Sequence, residues 1–142
     1  HDRIDNFEIG KAIKIRDGEK VAVFSTGAIF DEIGSAVEIL EGSGINPVVY
    51  TFPTVKPIDR EVIEHCAENY ELIVTVEEHN IVGGFGSAVA EVISELRSHG
   101  RLIRIGLNDT YSSLVGNQKY LRSQFGLDAK GIADRILAEV GK

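Results

Sequence analysis

The chain has 142 residues, 43% hydrophobic and 26% charged, which fits a single domain with its own core and argues against disorder. Its net charge of -7 disfavours nucleic-acid backbones and anionic membranes as partners, and the basic residues are scattered rather than gathered in a patch. No apolar run approaches the roughly 20 residues that would cross a bilayer, and no signal peptide opens the chain.

One cysteine, Cys66, leaves no internal disulfide and no CxxC site, and fits a reducing, cytoplasmic setting. It falls among the apolar positions Val62, Ile63, Ala67 and Tyr70, so a buried structural thiol is expected rather than a nucleophile. The chain begins at His1 and contains no methionine, and is read as a fragment or processed piece of something longer.

The first element in chain order is a strand over 11–16, in which Ala12, the lysines and Arg16 fall out of step with Ile13 and Ile15. Its charges suit a sheet edge that must not pair with other chains. "RDGEK" then signals a hairpin that would lay this strand beside the next, over 20–25 ("KVAVFS"). A helix follows over 29–40, with Ile29, Ile33, Ala36, Val37 and Leu40 in one stripe and "EGSG" as its stop. Strands over 47–52 and 71–77 are, like 20–25, apolar on both faces, as interior strands of a parallel sheet are. Between them Asp59 caps a helix running to about Tyr70, with Pro57 just ahead.

Phe85, Ala88, Val89, Val92, Ile93 and Leu96 form the strongest stripe, read as ending at Gly100. The run 101–107 alternates and suits an edge, and a short helix is expected over 118–125. The last helix starts at Asp128, with Leu127 and Ile132 as a hydrophobic staple and Ile132, Ala133, Ile136, Leu137 and Val140 facing inward. Strands alternating with helices give right-handed βαβ units and a three-layer α/β/α sandwich.

In such folds, sites gather beyond the carboxyl ends of the strands, which here gathers Thr26, Thr54, Lys56, Glu77, Glu78, His79, Asn108 and Asp109. Gly84-x-Gly86 mimics the start of a dinucleotide fingerprint, but Val89 holds the third glycine position and no acidic residue ends the next strand. The competing role for these glycines is close backbone approach to a neighbouring surface. His79 beside Glu77 and Glu78 could be a general base, although only Glu77 would share its face, and a polar interface role competes. His65 and His99 read as surface residues, the latter at a helix C-terminus. No grouping has metal-ligand spacing, and no serine sits in a GxSxG elbow.

"VKPID" (55–59) and "VEEHNIVGGFG" (76–86), within stretches running from about Phe7 to Val140, resemble the C-terminal domain of transketolase-type thiamine-diphosphate enzymes. Related domains occur in 1-deoxyxylulose-5-phosphate synthase and in the beta subunits of 2-oxo-acid dehydrogenases. The resemblance implies a mixed five-stranded sheet whose first strand is antiparallel and separated from its successor, against the hairpin expected from "RDGEK". It also implies one domain over 1–142, with 1–10 the tail of an interdomain connection.

In function it implies a structural, assembly-supporting domain of an enzyme moving two-carbon ketol units between sugar phosphates. Thiamine diphosphate and Mg²⁺ would lie on partner pyrimidine-binding and pyrophosphate-binding domains of that enzyme, itself a homodimer. No catalytic, cofactor-binding or metal residue is carried over. The isolated chain is therefore expected to be inactive, with Glu77, Glu78, His79, Gly83, Gly84 and Gly86 as the candidate interface. The competing readings are a stand-alone ligand-binding or regulatory domain, the same domain of 1-deoxyxylulose-5-phosphate synthase, and a free-standing enzyme using His79.

Overall fold

The computed structural model describes residues 10–26, 30–77, 84–106 and 129–140. The strands are β1 (Ile13–Arg16), β2 (Val21–Ser25), β3 (Val48–Thr51), β4 (Leu72–Glu77) and β5 (Arg101–Gly106). The helices are α1 (Phe30–Gly42), α2 (Arg60–Asn69), α3 (Phe85–Ser94) and α4 (Ala129–Glu139). The sheet order is β1-β3-β2-β4-β5, with β1 antiparallel to β3 and the remaining pairs parallel.

Alternation along the strands sorts the core into two halves. Val21, Val23, Val74 and Ile103 face Ile33 and Leu40 of α1 and Ile132 and Ile136 of α4. Phe24, Val48, Phe52 and Ile73 face Ile63 and Cys66 of α2 and Phe85, Val89 and Val92 of α3. β4 lies between two parallel neighbours and is buried at all six positions, Thr75 and Glu77 included. The expected three-layer sandwich is what forms.

The hairpin expected from "RDGEK" does not. β3 stands between β1 and β2, as the family resemblance implies. Gly18 runs so close to the lead-in of β3 that a Cβ there would lie 2.1 Å from the Pro47 carbonyl carbon. The Glu19 N–H donates to the Asn46 carbonyl at 2.8 Å. The turn is thus held against the β3 side, and β2 has parallel partners on both edges, leaving β1 the free edge of β3. The expected edge position of β1 holds, with a register shift between Lys14 and Arg16 that is typical of sheet edges.

α1 ends in a Schellman motif at "EGSG". Ile45 N–H bonds the Leu40 carbonyl, Gly44 N–H bonds the Glu41 carbonyl, and Gly44 has a φ of 83°. α3 ends earlier than its stripe suggests. The Glu95 and Leu96 amides reach back only three residues, to Val92 and Ile93, and tighten the last turn. Gly100 is therefore not the helix stop, and His99 lies beyond the helix as an exposed residue. Gly100 serves a close approach instead, since a Cβ would stand 2.3 Å from the Tyr70 carbonyl oxygen. The helix expected over 118–125 lies outside the described residues, as do Leu127 and Asp128; α4 runs from Ala129 with Ile132, Ala133 and Ile136 buried, as the stripe requires.

Cys66 is wholly buried under α2, and burial pushes its thiol up to about 12, with the Lys14 charge working weakly the other way. Because the folded value lies above the unfolded one, this contribution to stability is complete below about pH 9 and is lost as pH rises toward 12. Because Cys66 is wholly buried, labelling of the native chain by a thiol reagent at pH 8 should run about a hundredfold or more slower than in denaturant, at a rate that tracks opening. Rapid labelling without denaturant would contradict the core placement.

Candidate functional site

Because β2 to β5 are parallel, their carboxyl ends share one edge. β3 leaves that edge through Phe52 into a loop with a cis Lys56–Pro57 peptide, where the Thr54 hydroxyl donates to the Pro57 carbonyl at 2.9 Å. The loop closes on Asp59, which is buried and serves two backbone groups. One carboxylate oxygen accepts the Val62 N–H at 3.3 Å and caps α2, as its sequence predicts. The other accepts the Ala12 N–H at 2.8 Å and fixes the lead-in of β1.

Glu77 ends β4, and its side chain is turned into the domain, on the face that carries α2 and α3. Its two oxygens accept the Phe85 N–H at 2.8 Å and the Gly86 N–H at 2.6 Å. The first turn of α3 has no side-chain cap from Gly84, so this carboxylate supplies the missing acceptors. A Cβ on Gly86 would stand 3.0 Å from Glu77 Oε2, Thr75 Oγ1 and Arg104 Cδ alike. Glycine at 86 is what lets the helix start descend onto the strands. Arg104 lies beside Thr75 in the β4–β5 register and donates to Ser87 Oγ at 3.0 Å.

A cleft of about 490 Å³ separates the β3–α2 loop (Val55, Lys56, Pro57, Ile58) from the outer side of α3 (Gly84, Ser87, Glu91, Glu95). Arg60 spans it to meet Glu95 at 2.7 Å. Both sequence motifs that carry the family resemblance therefore border one surface feature.

Of the residues gathered from sequence, Thr26, Thr54 and Lys56 lie along this edge, Glu77 is enclosed behind it, and Gly84 and Gly86 start α3. Glu78, His79, Gly83, Asn108 and Asp109 lie outside the described residues. His65 is exposed, as expected, beside Asn69. Sequence reasoning missed Arg104 and Ser87. The signal for Arg104 was present: in the alternation of β5 it shares a face with Leu102, the face that packs on α3. Among the described residues no set of three His, Cys, Asp or Glu side chains could hold a metal ion.

Fold and site together define a three-layer α/β domain with a mixed sheet, in which the strand-end carboxylate of Glu77 is bonded within the domain. The family described as "Transketolase, C-terminal domain" matches residues 10–132, and the chain belongs to that family. It is 41% identical over 136 residues to a putative transketolase C-terminal section of Methanocaldococcus jannaschii, covering 96% of this chain and 42% of that one. A 1-deoxy-D-xylulose-5-phosphate synthase of Caldanaerobacter subterraneus subsp. tengcongensis is 38% identical, over 95% of this chain and 22% of the synthase. The solved structure of a split-gene transketolase, an inactive β4 tetramer, superposes with a TM-score of 0.83 at 32% identity, over 93% of this chain and 43% of that one. The chain thus spans less than half the length of each of these relatives.

Replacing Asp59 by alanine would orphan two backbone N–H groups and should cost about 2–3 kcal/mol in denaturant unfolding. Asp59→Asn keeps one acceptor and should recover part of that loss. An Asp59→Ala variant within about 0.5 kcal/mol of the parent would show that neither bond matters.

Proposed function

We propose that this chain is the C-terminal structural and assembly domain of a transketolase-type enzyme that moves two-carbon ketol units between sugar phosphates. The observation that carries the proposal is the family match over residues 10–132 of a chain much shorter than its relatives. In this reading residues 1–142 are one domain and 1–10 the tail of a connection to a preceding one. Its partners are the pyrimidine-binding and pyrophosphate-binding domains of the same enzyme, a cytoplasmic homodimer, with thiamine diphosphate and Mg²⁺ held on those domains. Among the described residues no helix is long and apolar enough to cross a membrane. The similarity to a 1-deoxy-D-xylulose-5-phosphate synthase makes that enzyme the second reading for the parent.

Among the described residues no group of side chains or backbone donors fits the cofactor. Capture of a diphosphate needs Mg²⁺ with oxygen ligands or free backbone donors. The amides at the start of α3 that could have served are taken by Glu77. This supports the reading of the glycine-rich turn as a packing and interface device, with Glu78, His79, Gly83 and Gly84 toward the partner. It also supports an isolated chain without catalysis, since the carbanion chemistry belongs to the cofactor.

Two measurements test this. Calorimetric titration of the chain with thiamine diphosphate and Mg²⁺ should give no saturable heat, and stoichiometric micromolar binding would refute the assignment. Replacing Gly84 by leucine on the cleft wall should weaken association with the remaining domains of the enzyme by more than it lowers the melting temperature of the chain. A lower melting temperature with unchanged association would overturn the interface role of the turn.

A further inference from the structure

We infer that Glu77 is an internal positioning residue: from inside the domain it fixes the start of α3, and with it the glycine-rich turn that the proposed assembly uses. The inference rests on the assembly reading above and changes the part Glu77 plays in it, from a contact residue to a brace.

Three consecutive residues at the head of α3 are each held from the sheet. Glu77 at the end of β4 takes the amides of Phe85 and Gly86, and Arg104 of β5 takes the Ser87 hydroxyl. Two bonds to adjacent amides and a third to the next side chain fix both the height of the helix start and its rotation about the helix axis. Nothing in hydrophobic packing does this alone, because apolar contacts are non-directional. Both Glu77 oxygens act as acceptors, the role of an ionised carboxylate, and the helix N-terminus favours that charge. A glutamine would keep one acceptor and turn an amide donor toward the other N–H.

The brace also reaches the second motif. Phe85, whose amide Glu77 holds, packs its ring 5.1 Å from that of Phe52, the residue that opens the loop to Asp59. The cleft between that loop and α3 therefore has its two walls referenced to one carboxylate. Glu77 itself is 1% exposed, so it acts on a partner only through what it holds.

The test compares Glu77→Gln with Glu77→Asp, which keeps the charge on a shorter arm. In the 142-residue chain, amide exchange at Phe85 or Gly86 should speed up by about tenfold or more in Glu77→Gln, while Val74 in the middle of β4 stays as it was. Association with a separately expressed pyrimidine-binding domain of the parent enzyme should weaken by about tenfold, with Glu77→Asp falling between parent and glutamine variant. Should Glu77→Gln not fold, Gly86→Ala leaves the carboxylate in place but sets a methyl group 3.0 Å from Glu77 Oε2, and should give the same two effects. Unchanged exchange at both amides overturns the brace, and so does unchanged association by a variant whose exchange has risen. An unmodified chain that does not associate at all overturns the assembly reading, and the exchange result then decides the brace by itself.

Discussion

A charge at the end of a fully buried strand is the constraint around which this domain is arranged. β4 is covered on both faces and both edges, and the Glu77 side chain at its end is 1% exposed. Burying an unpaired charge costs several kcal/mol. Two charge-assisted bonds at about 1.5–3 kcal/mol each offset that cost without much surplus. The net yield is therefore less stability than location. With Glu77 in place, the start of α3 is held at one height above the sheet, and glycine at 86 suits it because a Cβ there would press on Thr75, Glu77 and Arg104 alike.

Asp59 solves the matching problem at the next loop. Its two oxygens join the first turn of α2 to the lead-in of β1, elements that are neighbours in space but 47 residues apart in sequence. β1 is a short edge strand with half-exposed Ile15, and its pairing with β3 alone would hold it weakly. The same carboxylate that caps a helix thereby ties down the strand that reverses the sheet's direction. The Phe24–Phe52–Phe85 ring series then connects the two loops through the core, with centroid spacings of 5.0 and 5.1 Å.

Much of this was legible in the residues. The apolar runs named β2, β3 and β4 to within a residue or two, because a strand buried on both faces has no alternative pattern. Asp59 was readable as a cap, since capping is local and its acceptor and donor lie three residues apart. Its bond to Ala12 was not readable, because nothing in either local sequence refers to the other. The hairpin inferred from Asp17-Gly18 failed for the same reason. A turn signal fixes a local reversal of the chain, whereas the partner of β1 is settled by which strand edge the parallel crossovers leave open. Gly100 misled similarly: its reason is a carbonyl approaching from Tyr70, which sequence spacing to α3 cannot express.

Glu77 shows most clearly where chemical inference from sequence stops. A carboxylate beside a histidine and ahead of clustered glycines raises a base, a phosphate loop and an interface as readings, of which the sequence favours the last. The structure bears on them through the burial of the side chain and the amides it holds. Glu77 is 1% exposed and its two oxygens each accept an amide of α3, so it braces the helix start and is not presented to a substrate. The same two amides, once bonded, are unavailable to an anionic ligand. One pair of hydrogen bonds thus takes the Phe85 and Gly86 amides out of anion binding. What these bonds do fix is the start of α3, and in the assembly proposed above that fixed start is what the domain would offer to a partner.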